Sequence, residues 1–178
     1  MPDSGIARIL VSEEEIARTV HSLGAEITEY YKDIDGDLVV IGLLRGSFVF
    51  MADLIRVINR PLVVDFMAVS TYGNGTVSSG DVKVAMDLDQ SIEGRDVLLV
   101  EDIVDTGNTF SKVIRMMNNR NPRSLKTCTF LDKPSRRTAH VDIDFRGITI
   151  PDEFVCGYGL DYAQRYRNLP YVGVLKVE

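Results

Sequence analysis

The densest set of chemically capable residues follows an apolar run, 97–100, in the middle of the chain. Glu101 and Asp102 are followed by Asp105 and then by a Thr-Gly-Asn-Thr turn at 106–109. Small residues at such a turn let backbone N–H groups face inward, and a helix that begins there adds partial positive charge. This arrangement suits a phosphate group. The carboxylates just upstream suit sugar hydroxyls or a hydrated divalent metal.

The same segment has a simpler interpretation as a strand–turn–helix junction in which Asp105 or Thr106 is the helix N-cap. Other phosphate-binding loops fit the sequence less well. The glycines of 75–80 have P-loop spacing, but Asp81 follows where that motif requires lysine. The sequence GYGLDY lacks the third glycine of a dinucleotide-binding fingerprint. From the residues alone, a phosphate site and a plain helix cap both remain open.

Hydrophobic spacing predicts three helices. Ser12 and Glu15 form a capping box, which predicts that the first helix begins there. The apolar residues that follow recur at spacings of three and four, the pattern of one helix face: Ile16, Val20, Leu23, Ile27 and Tyr30. Residues 48–58 and 108–117 are predicted as the second and third helices.

Short apolar runs predict strands at 38–44, 61–70, 96–102, 124–132 and 140–147. Three other segments are predicted as a hairpin arm (81–87), a Gly/Ser-rich loop (71–81) and short strands around a Tyr-rich turn (154–178). Because strands alternate with helices through the middle of the chain, we expect an α/β fold with a mostly parallel sheet. Ligands of such sheets bind at the carboxyl ends of the strands, where the loop after Val100 lies.

Composition narrows the class of protein. The 178 residues fit a single domain (1–178), and the proportions of hydrophobic (45%) and charged (26%) residues are typical of globular proteins. We expect no membrane span and no signal peptide, because the longest apolar run is 38–44 and the N-terminus lacks a basic segment before an apolar one. Cys128 and Cys156 lack metal-ligand spacing, which favours a reducing cytoplasm. The net charge of −6 argues against generic nucleic-acid binding.

Residues 97–110, VLLVEDIVDTGNTF, resemble the phosphoribosyl pyrophosphate motif of type I phosphoribosyltransferases. The rest is similar to the hypoxanthine/guanine branch: 42–54 resembles its pyrophosphate loop, 70–84 its mobile lid, and 131–137 and 152–173 its purine-binding segments. The resemblance implies a Rossmann-like core whose mostly parallel sheet is flanked by helices, with a small hood from the N- and C-terminal segments. It also implies Mg²⁺-dependent purine salvage, in which hypoxanthine or guanine reacts with phosphoribosyl pyrophosphate and pyrophosphate is released.

The resemblance assigns roles residue by residue. The implied ribose and 5′-phosphate contacts are Glu101, Asp102, Asp105, Thr106, Gly107, Asn108 and Thr109, although the family often has Lys in place of Asn108. The implied pyrophosphate contacts are Arg45, Gly46 and Arg167, and the family peptide before the basic residue can be cis. The implied purine contacts are Lys133, Phe154 and Val155. The implied metal ligands are Glu101, Asp102 and Asp161, and the implied lid residues are Thr71 and Tyr72. Asp105 is also implied as the general base at purine N7.

Each assignment has an ordinary structural alternative. The alternatives are a solvated strand end for Glu101, surface side chains for Arg45 and Lys133, core packing for Phe154, and surface ion pairs for Asp161 and Arg167. One assignment is chemically selective. A lysine ammonium has only donors, so Lys133 suits the 6-oxygen of hypoxanthine or guanine and not the amino group of adenine.

Two other functions are weighed against the transferase. A nucleotide-sensing regulator is disfavoured, because the chain has no basic run beyond Lys133–Arg137 and retains Asp105, Lys133 and Asp161. A xanthine-preferring transferase is harder to separate, because contacts at purine position 2 are mostly made by the backbone. The resemblance implies a homodimer or homotetramer with small-molecule substrates and no nucleic-acid partner.

Overall fold

The computed structural model describes residues 5–71 and 82–176. The α-helices found there are α1 (Glu13–Tyr30), α2 (Phe48–Val57) and α3 (Asn108–Asn118), and all three confirm the prediction. Helix α1 begins where the capping box predicts, since Ser12 Oγ accepts a hydrogen bond from the N–H of Glu15 at 3.2 Å. None of these helices has both the length and the hydropathy needed to cross a bilayer.

Nine strands are described: β1 (Ile6–Val11), β2 (Leu38–Leu44), β3 (Leu62–Thr71), β4 (Val82–Met86), β5 (Asp96–Val104), β6 (Ser124–Asp132), β7 (Phe145–Thr149), β8 (Val155–Cys156) and β9 (Val172–Leu175). Six of them form a central sheet in the order β4-β3-β2-β5-β6-β7. Every pairing in this sheet is parallel except the edge pair of β3 with β4. The expected mostly parallel sheet is confirmed.

Both faces of the central sheet are covered by helices. Successive strand residues point to opposite faces, and in β2 Val40 packs into the cluster that contains α1 and α2, whereas Val39 packs into the cluster that contains α3. The same alternation holds in β5 for Leu98 and Leu99. Full burial on both faces explains why these strands read as uninterrupted apolar runs. Each such side chain contributes about 1.5–3 kcal/mol to folding by leaving water.

A separate antiparallel sheet joins the two ends of the chain in the order β1-β9-β8. Val11 pairs with Val172, and Val155 pairs with Val174. This sheet corresponds to the expected hood. Strand β1 has no sequence signal of its own, because half of its six residues are exposed and its partner lies far along the chain.

The predicted strand at 140–147 is wrong in its first half. Residues 138–144 are irregular, and β7 begins at Phe145. The carboxylate of Asp144 accepts the N–H of Thr127 at 2.9 Å, and the Thr127 hydroxyl donates to the carbonyl of Asp142 at 2.9 Å. These bonds at the start of β6 replace the ladder that the alternation of Val141 and Ile143 suggested. Both apolar residues still pack against the α3 side of the core.

Candidate active site

Three loops meet at the carboxyl edge of the central sheet. Strands β2 and β5 are parallel neighbours, and β6 lies on the other side of β5. The segments that follow these strands, at 45–47, 105–107 and 133–139, therefore share one edge, which is where α/β sheets bind ligands. All three segments contain residues that the sequence analysis singled out.

The two adjacent acids lie within β5 and not at its end, because the strand extends two residues beyond its predicted end at Asp102. Asp102 Oδ1 accepts a hydrogen bond from the N–H of Ile103 at 3.0 Å. Glu101 Oε2 is buried and has no hydrogen-bond partner among the described residues. Such an unpaired buried oxygen is costly unless a ligand supplies a donor or a cation.

Burial weakens the acidity of both carboxyl groups. It raises the pKa of Glu101 well above its usual value, and the charge of Asp102 adds to this. It raises the pKa of Asp102 to about 6, opposed by the Ile103 N–H and the Arg167 guanidinium, while the charge of Asp161 raises it further. Asp102 thus lies within electrostatic reach of the C-terminal segment. The acid pair is suited to a bound cation or to hydroxyl donors, which would favour its ionised form.

Glycines allow the loop after β2 to press against Asp102. A Cβ atom at Gly46 would lie 2.5 Å from Cγ of Asp102, with a carboxylate oxygen closer still. On the C-terminal segment, Gly159 has φ +99°, and a Cβ there would overlap the carbonyl oxygen of Gly46. The loop is therefore packed between an acid of β5 and the segment after β8. The Leu44–Arg45 peptide that leads into it is cis.

The loop after β5 ends in an open helix N-terminus. The N-cap of α3 is Gly107, with φ +81° and no side chain to cap the helix. The simpler interpretation, with Asp105 or Thr106 as N-cap, is therefore wrong. Thr106 Oγ1 makes only a long contact of 3.4 Å with the N–H of Asn108. Backbone N–H groups at the start of α3 remain available for an anion.

The segment after β6 holds this loop in place. The carbonyl oxygen of Thr106 accepts the N–H groups of Thr138 (2.9 Å) and Ala139 (3.1 Å). The side chain of Asn108 donates to Oγ1 of Thr138 at 3.1 Å. Asn108 therefore connects the loops that follow β5 and β6. Thr109 is partly buried in the first turn of α3.

Arg137 is the strongest connection between these loops and was missed in the sequence. Its guanidinium donates to the carbonyl oxygens of Asp105 (3.0 Å) and Val104 (3.2 Å) and pairs with the buried carboxylate of Asp132. Arg146 pairs with the other oxygen of Asp132 at 3.1 Å. The only sequence signal for this network was an acid that ends a buried strand shortly before two arginines.

One carboxylate oxygen of Asp105 is buried beside a cation. Its Oδ1 lies 3.3 Å from Nε of Arg136, but no hydrogen bond to Oδ1 is formed within the described part of the chain. Arg136 also reaches Asp152 at 3.5 Å, two residues before Phe154. Arg136 thus pairs with Asp105 and connects it to the segment that contains the predicted purine contacts.

Lys133, Phe154 and Val155 differ in exposure. Lys133 is 5% exposed, its N–H donates to the carbonyl of Val104 at 3.0 Å, and its ammonium has no partner among the described residues. Phe154 is 56% exposed and packs edge-to-face on Tyr162, so the core-packing alternative for it is wrong. Val155 is buried in β8.

The C-terminal segment supplies a cluster of ion pairs and hydrogen bonds near the loop after β2. Arg167 pairs with Asp161 Oδ1 at 2.8 Å and donates to the carbonyl of Gly159 at 2.7 Å. Arg45 and Arg167 both donate to Oε1 of Gln164, at 3.1 and 3.2 Å. The structure thus brings the predicted pyrophosphate residues together through Gln164, which the sequence analysis did not single out.

The sequence model of the family named phosphoribosyl transferase domain matches residues 11–163 of this chain. The chain belongs to this family. The resemblance found in the sequence is therefore confirmed, and so is the expected fold, because similar architectures occur among solved phosphoribosyltransferase structures.

Relatives of this phosphoribosyltransferase are similar over almost their whole length. It is 56% identical to the hypoxanthine phosphoribosyltransferase of Salmonella typhimurium over 165 residues, which cover 93% of each chain. It is 55% identical to the hypoxanthine-guanine phosphoribosyltransferase of Bacillus subtilis, covering 96% of this chain and 94% of the relative. The crystal structure of a hypoxanthine phosphoribosyltransferase from Staphylococcus aureus matches with a TM-score of 0.91 at 47% identity, covering 96% and 92% of the two chains.

Two features of the phosphoribosyltransferase site bear on ligands. The described residues contain no group of three His, Cys, Asp or Glu side chains placed to hold a metal ion. The carboxylates of Glu101, Asp102 and Asp161 still fit Mg²⁺, which prefers one or two carboxylates together with substrate phosphates. The unpaired Oε2 of Glu101 is consistent with such a ligand. Of the predicted lid residues, Tyr72 and the side chain of Thr71 lie outside the described residues.

Proposed function

We propose that this phosphoribosyltransferase converts hypoxanthine, and also guanine, with 5-phospho-α-D-ribose 1-diphosphate to IMP or GMP and pyrophosphate. The observation that supports this best is the edge shared by β2 and β5. There, the acid pair Glu101 and Asp102 lies between an open helix N-terminus and a glycine loop packed on Asp102. A sugar with a phosphate at one end and a diphosphate at the other matches these three features in order. The names of the relatives point to the same reaction.

The chemistry follows from the charges that develop. The bond between the ribose anomeric carbon and the diphosphate breaks through an oxocarbenium-like state, and a purine nitrogen forms the new bond. Asp105 is proposed to accept the proton lost from purine N7. Its side chain is 40% exposed even though Oδ1 is buried beside Arg136, so a substrate can reach the carboxylate. Its negative charge would also stabilise the positively charged purine.

The phosphate groups of the substrate are proposed to bind mainly through backbone and arginine donors. The 5′-phosphate would lie at Thr106, Gly107, Asn108 and Thr109, where the N-terminus of α3 is open. The diphosphate would meet Gly46, Arg45 and Arg167, whose guanidinium groups suit phosphate oxygens. The ribose hydroxyls would donate to Glu101 and Asp102.

Lys133 is proposed to select 6-oxopurines. Its ammonium is held by a mostly buried side chain and has no partner among the described residues, so a 6-oxygen acceptor would satisfy it. Adenine would place an amino donor at the same point and leave both groups unpaired, which is costly in a buried site. Phe154 is proposed to stack on the purine, and its exposed ring supports that role. Val155 would contact the purine edge through its backbone.

Glu101, Asp102 and Asp161 are proposed as the residues that hold Mg²⁺ together with substrate oxygens. Bound Mg²⁺ would supply neutralisation of the departing pyrophosphate. Thr71 and Tyr72 are proposed to cover the reacting centre, because an oxocarbenium-like carbon must be kept from water.

The direct test is a pyrophosphate-release assay with phosphoribosyl pyrophosphate, Mg²⁺ and each of hypoxanthine, guanine, xanthine and adenine. We expect turnover of hypoxanthine and guanine and none of adenine. Asp105→Asn should lower kcat about 10²–10⁴-fold, because proton transfer is lost. Asp33→Asn is the matched control, since Asp33 is exposed near the opposite edge of the sheet.

Other outcomes of this assay would indicate a different function. Faster turnover of xanthine than of hypoxanthine would make this a xanthine-preferring enzyme. No turnover of any purine, with the nucleotide still bound, would favour a nucleotide-sensing regulator and would contradict the proposed catalysis.

The assembly and compartment are also proposed. We propose a homodimer or homotetramer in the cytoplasm. The exposed ring of Phe48 at the start of α2 supports self-association, and the burial of both cysteines without a disulfide is consistent with a reducing compartment. Size-exclusion chromatography with light scattering would give the subunit number, and a monomer at micromolar concentration would contradict self-association.

A further inference from the structure

Gln164 connects the two arginines on the proposed pyrophosphate side of the site. Its Oε1 accepts hydrogen bonds from Nη1 of Arg45 at 3.1 Å and from Nη2 of Arg167 at 3.2 Å. Arg45 precedes Gln164 by 119 residues in the sequence. Two guanidinium groups at this spacing repel each other, so an acceptor shared between them stabilises their approach.

The backbone of Gln164 adds a second connection. Its N–H donates to Oδ2 of Asp161 at 2.9 Å, while Oδ1 of the same carboxylate pairs with Arg167 at 2.8 Å. One residue thus orients two arginines and an acid that is proposed to hold Mg²⁺. Arg45 is exposed, and nothing else is found to hold its guanidinium within the described parts of the chain.

The turn that carries Gln164 is strained for the residues present. Ala163 and Gln164 have φ +50° and +66°, and the flanking Tyr162 and Arg165 exchange backbone hydrogen bonds of 3.1 and 3.0 Å. Two successive positive φ values define a type I′ turn, where Gly, Asn and Asp are the usual residues. Glycine would fit this backbone with less strain than glutamine. Strained turns of this kind concentrate at functional sites, which directs attention to what the side chain does.

We propose that Gln164 is a positioning residue for diphosphate binding. Its amide oxygen holds Arg45 and Arg167 side by side before substrate arrives, and the diphosphate oxygens then take over their N–H donors. The proposal rests on the pyrophosphate roles proposed above for these arginines. Holding both side chains in place beforehand reduces the ordering cost of binding.

A neutral amide oxygen is the suitable acceptor for this task. A carboxylate in its place would pair more strongly with the arginines and would repel the diphosphate. A methyl group would leave the Arg45 guanidinium without a partner among the described residues and would remove one of the acceptors of Arg167. These two alternatives correspond to variants of nearly the same size, Gln164→Glu and Gln164→Met.

The experiment measures steady-state kinetics with phosphoribosyl pyrophosphate varied at saturating hypoxanthine, at low and high ionic strength. For Gln164→Met we expect KM for phosphoribosyl pyrophosphate to rise about 3–10-fold, with kcat changed by less than about twofold, since one charge-assisted acceptor is lost. For Gln164→Glu we expect a rise at low salt that shrinks at high salt, because screening weakens the added charge. Gln90→Met is the matched control, because Gln90 is the other glutamine of the chain and is exposed before β5.

The variants Arg45→Met and Arg167→Met distinguish the proposed pyrophosphate role of the arginines from the proposed positioning role of Gln164. If both raise KM for phosphoribosyl pyrophosphate and neither Gln164 variant does, the arginine roles stand and the positioning role of Gln164 is wrong. If neither arginine variant changes this KM, the proposed pyrophosphate roles fail and the role of Gln164 fails with them. In the triple variant Arg45→Met/Arg167→Met/Gln164→Met, a KM close to that of Arg45→Met/Arg167→Met supports positioning, whereas a further multiplied rise contradicts it.

Discussion

Replacing Gly46 with alanine tests the packing at the centre of the site. The added Cβ would lie 2.5 Å from Cγ and 3.0 Å from Oδ1 of Asp102. The loop has little room to retreat, because the backbone of Gly159 already packs on the Gly46 carbonyl. Asp102 must therefore turn away, or the loop must shift by about 1 Å. We expect overpacking to cost about 1–3 kcal/mol and to lower Tm by about 2–12 °C.

The expected loss of activity is larger than the loss of stability implies. A displacement of about 1 Å in a positioned site lowers kcat/KM about 100-fold. Thermal unfolding and the pyrophosphate-release assay measure the two effects on the same samples. Gly36→Ala is the matched control: Gly36 has φ +86° with open space around it, so it should lose about 1 kcal/mol of stability and keep its kcat/KM.

A double variant makes the reasoning refutable. Asp102→Ala removes the atoms that the new Cβ meets, so Gly46→Ala/Asp102→Ala should be more stable than Gly46→Ala while remaining nearly inactive. Wild-type kcat/KM in Gly46→Ala would refute the close approach of the loop to Asp102. The same conclusion would follow if the double variant were less stable than the single one.

Three further predictions follow from neighbouring residues. The pKa of Asp102 is raised from 3.8 to about 6 on folding, so the metal-free enzyme should lose stability as pH rises from about 4 to above 6. Asp102→Asn should therefore unfold at a higher temperature than the wild type at pH 7.5 and not at pH 4, and an unchanged difference across this range would contradict the burial argument. Lys133→Met should lower kcat/KM for hypoxanthine about 10–100-fold, because the donor to the 6-oxygen is lost. The Tm should change little, because the mostly buried stem is replaced by a side chain of similar volume. An unchanged kcat/KM in steady-state kinetics would show that Lys133 does not recognise the purine. Arg137→Met should lower the free energy of unfolding in urea by about 2–4 kcal/mol, because the buried carboxylate of Asp132 loses a partner, and a loss below about 0.5 kcal/mol would contradict this.

Local patterns in the sequence predict the parts of the fold whose signals are local. The apolar runs around Val40 and Leu98 follow from burial on both faces of a parallel sheet. The start of α1 follows from the Ser12 cap. By contrast, β1 is held by a partner about 160 residues away, and its exposed residues carry no pattern of their own. The error at 140–147 has a different cause. The carboxylate of Asp144 accepts the N–H of Thr127 in β6, and this side-chain contact takes the place of the strand pairing that the alternation predicted.

In the candidate site, too, residues with local sequence signals are predictable, whereas residues that act through distant contacts are not. Asp105, Gly107 and the acids of β5 are recognisable because they are adjacent in the sequence and form one motif. Gln164, Gly159 and Arg137 are not, since each acts through a contact with a residue distant in the sequence. The glycines of GYGLDY were the available signal for Gly159, but spacing alone did not show that a second loop packs against it.

The small sheet that pairs β1 with β9 determines when a newly made chain can act. The central sheet is complete once β7 has been synthesised, whereas Val11 must wait for Val172 before the ends can pair. Closing so long a loop carries a large entropic cost, so this pairing is expected to form late. Arg167, Asp161 and Gln164 lie in the segment between β8 and β9. A ribosome-bound chain that ends before β9 would therefore have a nearly finished core without a properly ordered diphosphate subsite, and substrate binding would mark the last stage of its maturation.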